Sequence, residues 1–121
     1  MRVYVPVGRL QLEVLRGGRG LDGPLTGWAV DPGWRTGSPE VDEEQWEHEA
    51  QTEAAATLTE LARGLVLAVD VPDEAVSDPD DGRVIIPGGV RWSQVGALLD
   101  RDLAWFGLQE LDILLSDRRT D

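Results

Sequence analysis

One long segment has an unambiguous helical period, and it constrains the fold more than any other feature of the chain. Residues 40–64 place apolar side chains three or four positions apart, at Trp46, Ala50, Ala54, Leu58, Leu61 and Leu65. This spacing puts them on one side of an α-helix. Ser38 and Pro39 offer an N-cap and first helical residue, Asp42 with Gln45 offers a second start as a capping pair, and Gly64 ends the helix. The sequence therefore predicts a helix over Glu40–Arg63, and the other apolar segments must pack against its apolar side.

Four other segments have the composition of β-strands. Arg2–Val7 alternates, which predicts a strand with one buried side, and Pro6 suggests that it lies at an edge or stops pairing there. Leu65–Val71 is almost entirely apolar, as in a central strand that is covered on both faces. Arg83–Pro87 and Leu103–Gly107 predict two shorter strands.

These elements together predict the fold class. Gly8–Arg16 adds a second helix, and Trp92–Asp100 fits either a short helix or a turn followed by a strand at Gly96–Leu99. We predict one α/β (α+β) domain over residues 1–121, with a two-layer packing of a mixed sheet of about four to five strands against two main helices. The polar tail at 116–121 is expected to fray.

A Gly/Pro-rich loop is predicted at residues 17–37. Within it, Gly18, Gly20 and Gly23 match the pattern G-x-G-x-x-G. A dinucleotide site needs this pattern directly after a strand and at the start of a helix. Here it follows a helix and leads into Pro24, so we predict a mobile connector and no cofactor site. Asp78–Gly82 predicts an exposed turn.

Composition excludes several kinds of chemistry. The chain has no cysteine, and all of its eleven basic residues are arginine. Thiol and Schiff-base chemistry are therefore excluded. The formal net charge is −12, and seven acids fall in Glu40–Glu53 and six in Asp70–Asp81. Such a charge repels nucleic acid and anionic membranes and favours a basic partner. No apolar run has the length of a membrane span, so we predict a cytoplasmic protein.

The acidic helix also carries the one histidine, His48. Glu44 lies four residues earlier and could form half of a metal site with it, but two ligands alone are a weak signal. We predict a solvated pair, and we assign no metal-binding or catalytic residue. Glu43 and Glu47 fall within the apolar side of the helix. We expect either that both lie in water or that an arginine, Arg2 or Arg35, covers them.

Five tryptophans are a high count for 121 residues. Trp46 and Trp105 lie in periodic segments and are expected in the core. Trp28, Trp34 and Trp92 lie in Gly/Pro-rich stretches, where aromatic side chains either anchor a loop on the protein's own core or contact a partner.

The preferred hypothesis for function is a non-catalytic interaction or regulatory protein that binds a basic protein partner. We predict that the contact surface is formed by Trp28, Trp34, Trp92, Glu49 and Glu53. The alternative is a small enzyme whose carboxylate and arginine side chains lie near residues 17–37. An enzyme should gather ionisable groups in a pocket, whereas a binding protein should expose an aromatic and acidic surface.

Several short motifs are similar to those of a known family. They are Arg2–Pro6, Ala29–Pro32, Glu43–Glu44, Ala68–Val76, Leu103–Phe106 and Gln109–Glu110. The chain resembles a family of small actinobacterial proteins that is catalogued only as a domain of unknown function. The resemblance implies a source and a size, and it implies no activity.

Overall fold

The structure is a computed structural model that describes residues 1–30, 43–58, 64–80, 83–100, 102–111 and 113, with side chains at all of these except 30, 43–46 and 78–80. Within these residues the chain forms two α-helices and seven strands. In chain order they are β1 Arg2–Val7, α1 Arg9–Arg16, β2 Leu25–Val30, α2 Glu43–Thr57, β3 Leu65–Asp70, β4 Ser77–Asp80, β5 Arg83–Ile86, β6 Val95–Leu99 and β7 Trp105–Phe106.

All seven described strands form one sheet in the order β4-β5-β2-β1-β3-β6-β7. Every neighbouring pair is antiparallel. The prediction of an α+β domain is confirmed, but the prediction of a mixed sheet with four to five strands is wrong. The physical reason is the position of β1. It lies between β2 and β3, so these two strands, which α2 connects, run parallel to each other without being neighbours.

The central position of β1 also contradicts the reading of Pro6 as a sign of an edge strand. Pro6 lies opposite Val66 in the ladder with β3, whereas the ladder with β2 covers only Arg2–Tyr4. Position 6 therefore has no pairing with β2 that would require an N–H group.

Alternate residues of β1 point to opposite faces of the sheet, and each face carries its own helix. The odd-numbered residues of β1 share an apolar core with α1, through Val3, Val5, Val7, Leu12 and Leu15. Tyr4 shares a second core with Ala50 and Ala54 of α2. We call these the α1 face and the α2 face. The predicted two-layer packing is not confirmed, because the helices lie on opposite faces.

The remaining sequence expectations have mixed outcomes. Residues 92–100 form a turn at Trp92–Gln94 and then β6, so the second of the two alternatives is correct. β4 occupies much of the predicted turn at Asp78–Gly82. The predicted helix ends and the tail at residues 40–42, 59–63 and 116–121 lie outside the described residues, as do Trp34 and Leu61.

Candidate functional site

The hydroxyl of Tyr4 joins the centre of the sheet to α2. It donates a hydrogen bond to Oε1 of Glu47 and accepts one from Nε2 of Gln51 at 3.1 Å. Glu47 and Gln51 are one helical turn apart, so both reach the same point of the sheet. We call these three residues the tyrosine cluster. Glu47 was expected to lie either in water or under an arginine. It is instead half-buried and accepts a hydrogen bond from the phenol of Tyr4. The side chain of Glu43 lies outside the described part.

Burial, followed by the hydrogen bond to Glu47, raises the pKa of Tyr4 to about 12. At neutral pH the phenol is therefore fully protonated and acts as a donor. A group that transfers protons in catalysis works best with a pKa near the working pH. The tyrosine cluster accordingly suits a structural role, which is to seat α2 on the sheet.

The raised pKa of Tyr4 predicts a loss of stability in alkali. Between pH 10 and 12 the unfolded chain releases the phenol proton and the folded chain keeps it, so the free energy of unfolding falls as pH rises. The expected fall is roughly 2–3 kcal/mol, at 1.36 kcal/mol for each pKa unit. The chain has one tyrosine and neither lysine nor cysteine. A tyrosinate absorbance titration therefore reports this group alone.

The matched control is Tyr4→Phe, in which the pH dependence of the unfolding free energy over this interval should disappear. A tyrosinate midpoint near pH 10 in the folded protein would contradict the prediction, because that is the ordinary value of an unperturbed phenol.

An ion pair borders the tyrosine cluster. Arg2 and Asp70 lie directly opposite each other on β1 and β3. Nε of Arg2 donates to Oδ1 of Asp70 at 2.8 Å, and Nη2 donates to Oδ2 at 2.9 Å. The hydrogen bond from Arg2 lowers the pKa of Asp70. Both side chains remain partly in water, so the pair adds little stability and mainly fixes the direction of the guanidinium.

Trp105 lies on the edge strand β7 and contacts the tyrosine cluster. Its ring meets Tyr4 edge to face, with 6.3 Å between the ring centroids and an interplanar angle of 81°. Ala68 and Ala97, on the two strands between β1 and β7, are small enough to let the rings meet. Trp105 is nevertheless 49% exposed. The prediction that it belongs to the core is therefore wrong, because β7 is the edge strand and little packs over it.

The outer face of α2 is small and acidic. Its exposed side chains are His48, Glu49, Thr52, Glu53 and Ala56. The helix contains no arginine, so Glu49 and Glu53 stand one turn apart without a basic neighbour on α2. Among the described residues, no group of three or more acidic or histidine side chains could hold a metal ion. The side chain of Glu44 is not described, so its pairing with His48 stays a prediction.

The structure separates the tryptophans that were predicted to contact a partner. Trp28 lies on the α2 face, partly buried against the same core as Tyr4. Trp92 packs against the core of the α1 face, so it is on the opposite side of the sheet from Glu49 and Glu53. Trp34 lies outside the described residues. The five predicted contact residues therefore do not form one continuous surface within the described part, and a partner contact at any of them stays a prediction.

A groove of about 910 Å³ lies on the α1 face, beside the first half of the predicted loop. We call it the arginine groove. Its charged and amide side chains are Arg19, Asp22, Glu74, Arg91 and Gln94. Its apolar lining includes Val14, Ile86 and Pro87. The sequence indicated this region only through the alternative of a carboxylate and arginine site near residues 17–37.

Glycines build one wall of the arginine groove. Leu21 and Val90 exchange two backbone hydrogen bonds, of 2.8 and 2.9 Å. A Cβ at Gly20 would lie 2.3 Å from the carbonyl oxygen of Val90, and a Cβ at Gly23 would lie 2.0 Å from that of Pro87. The glycine motif therefore allows two loops to touch. The prediction of a mobile connector over residues 17–37 is wrong for the described part, where Leu21 pairs with Val90 and residues 25–30 form β2.

These features define a small antiparallel α+β protein with an acidic helix on one face and an arginine-lined groove on the other. The chain belongs to a family described as a family of unknown function (DUF6912), whose model matches residues 1–100. No curated protein and no solved structure matches the chain. The resemblance to a domain of unknown function is thus confirmed, and the actinobacterial source stays a prediction. In the described part of the chain, no helix is long and apolar enough to cross a membrane.

Proposed function

We propose that the protein is a non-catalytic, cytoplasmic interaction protein that binds a basic partner through the outer face of α2. The observation that carries this proposal is the exposed pair Glu49 and Glu53 on a helix without arginine. The net charge of −12 attracts a basic partner over a distance. The pair places two of these negative charges next to each other on the outer face of α2.

The tyrosine cluster supports the proposal because it fixes the position of the helix. Ala50 and Ala54 are buried against the sheet. Glu47 and Gln51 bond to Tyr4 from the same side of α2. The outer face is thereby held in one orientation before any partner arrives, which lowers the entropy cost of binding.

Trp105 supplies an aromatic contact on the same face of the sheet. Its half-exposed ring touches Tyr4, whose hydroxyl bonds to α2. An arginine or lysine of a partner gains attraction from an aromatic face and from carboxylates together. We therefore include Trp105 with Glu49 and Glu53 in the proposed contact surface.

A second candidate function is the small enzyme near residues 17–37, and the arginine groove is the observation that favours it. Arginine and carboxylate side chains both line it. Among its described lining residues, the side chains that could act as a nucleophile or as an acid or base are the carboxylates of Asp22 and Glu74.

The test of the α2 surface uses an immobilised arginine-rich peptide as the basic probe. Reversing both charges, Glu49→Arg with Glu53→Arg, should slow association about tenfold or more at low salt, because surface carboxylates steer encounter. Trp105→Ala should mainly speed dissociation. The measurement is surface binding kinetics at two ionic strengths.

The control is the double reversal Asp22→Arg with Glu74→Arg, which changes the net charge by the same amount on the opposite face. It should slow association much less. Equal slowing by the two double variants would show that total charge and not the α2 surface attracts the probe, and it would overturn the proposal.

A further inference from the structure

Within the described residues, two arginines of the arginine groove form no ion pair, unlike Arg2 and Arg9. Arg2 pairs with Asp70, and Arg9 pairs with Glu13 one turn along α1. Neither Arg19 nor Arg91 forms an ion pair with any described carboxylate, although Asp22 and Glu74 line the same groove. In a chain with 23 acids and 11 arginines, two guanidinium groups in one groove without an ion pair to a described carboxylate are available for a ligand.

The backbone holds these two arginines close together. Leu21 and Val90 pair as an isolated antiparallel bridge, which sets Gly20 beside Arg91. A Cβ at Gly20 would lie only 2.9 Å from the Cα of Arg91, so the two backbones are in contact at this point. Arg19 directly precedes Gly20 in the chain. Because glycine is required for this approach, the same motif that fails as a dinucleotide site brings two positive charges to one groove.

The rest of the groove has the size and surface of a small-molecule site. Its volume of about 910 Å³ lies within the range of about 300–1,000 Å³ that is typical of ligand pockets. Val14 and Pro87 contribute exposed apolar surface to it. Gly88 also lines the groove and has no atom within 4 Å of the place where a Cβ would stand. The groove therefore has open space beside Gly88 and a partly apolar lining.

We propose that the arginine groove binds a small organic anion, whose phosphate or carboxylate group is held by Arg19 and Arg91. Guanidinium groups recognise both of these oxyanions through paired hydrogen bonds. The apolar body of the ligand rests against Val14 and Pro87. Asp22 and Glu74 repel further negative charge, so a ligand with its charge at one end is favoured over a polyanion. This site goes beyond the proposed α2 surface and lies on the opposite face of the sheet.

The test is a titration of the folded protein with three probes of similar shape: phenyl phosphate, benzoate and benzyl alcohol. The measurement is the change in backbone amide NMR signals at Arg19, Gly88, Gly89 and Arg91. We expect saturable shifts at millimolar phenyl phosphate, benzoate or both, and none with benzyl alcohol. Shifts with phenyl phosphate alone would assign a phosphate ligand, and shifts with benzoate alone would assign a carboxylate ligand. Shifts with both would assign any oxyanion of this size.

Matched variants test whether Arg19 and Arg91 bind the anion. Arg19→Gln with Arg91→Gln should weaken anion binding at least tenfold, whereas Arg83→Gln, at an exposed arginine that does not line this groove, should leave it unchanged. Gly88→Phe places a large side chain in the open space beside Gly88. It should block binding without changing the amide spectrum elsewhere. Absence of a saturable shift with either anion, equal binding of benzyl alcohol, or unchanged binding in the double glutamine variant would each overturn the proposal.

Discussion

Replacing Gly89 with alanine should lower the free energy of unfolding by about 2–5 kcal/mol. Gly89 has φ +74°, and a Cβ there would lie 2.0 Å from the carbonyl oxygen of Leu21 and 2.6 Å from the nitrogen of Gly23. The left-handed backbone costs a residue with a Cβ about 1–2 kcal/mol. The overlap with backbone atoms, which cannot turn away as a side chain can, adds about 1–3 kcal/mol. A denaturant titration of the variant and the parent measures the difference.

The neighbouring glycine is the control. Gly88 has no atom within 4 Å of a Cβ position, and its φ lies outside the left-handed region. Gly88→Ala should therefore leave stability unchanged or raise it by about 0.4–1 kcal/mol, through the lower entropy of the unfolded chain. Equal losses at positions 88 and 89 would show that the contact between the two loops does not depend on Gly89.

Leu58→Ala is the second change with a large expected effect, again a loss of about 2–5 kcal/mol. Leu58 follows the last turn of α2 and is fully buried. It packs in the same core as Tyr4, Ala54 and Val66. The other described helix residues in this core are Ala50, Ala54 and Ala55, and none of these alanines is long enough to fill the space that Leu58 would leave. Thermal or denaturant unfolding, followed by far-UV circular dichroism, measures the loss.

The matched control is Leu10→Ala on α1, where the leucine side chain is 79% exposed. The same atoms are removed without opening a cavity, so the change should stay within about 0.5 kcal/mol. A loss below about 1 kcal/mol at Leu58 would show that the α2 face contributes little to stability. Tyr4→Phe would then be expected to matter little as well.

Local periodicity was enough to predict the helices and most strands, because each depends on a pattern within a few residues. α1, β1, β3 and β5 have nearly the predicted ends. Sheet order depends on which distant segment pairs with which, and no local pattern contains that information. The insertion of β1 between β2 and β3 therefore turned an expected mixed sheet into an antiparallel one. It also made Pro6 part of a central strand.

The candidate sites, too, were predictable only where the signal was local in the sequence. The position of Glu47 on the apolar side of α2 marked it as unusual, but its partner could not be found, because Tyr4 lies 43 residues away in the chain. Trp105 looked like a core residue because its neighbours Leu103, Ala104 and Phe106 are apolar; only the sheet order shows that β7 is an edge. The two arginines of the groove had no local signal beyond their nearness to a glycine-rich loop.

The position of β1 at the centre of the sheet also has a consequence for how the chain folds as it is made. Arg2 pairs with Asp70 across 68 residues, so β1 cannot pair with β3 until those residues have been synthesised. At about 5–20 residues per second, that wait lasts several seconds. Sheets with such distant pairings also form slowly, over milliseconds to seconds. Until β3 emerges, the edge of β1 that pairs with it stays open, and chaperone binding to nascent chains should be strongest before residue 70 emerges.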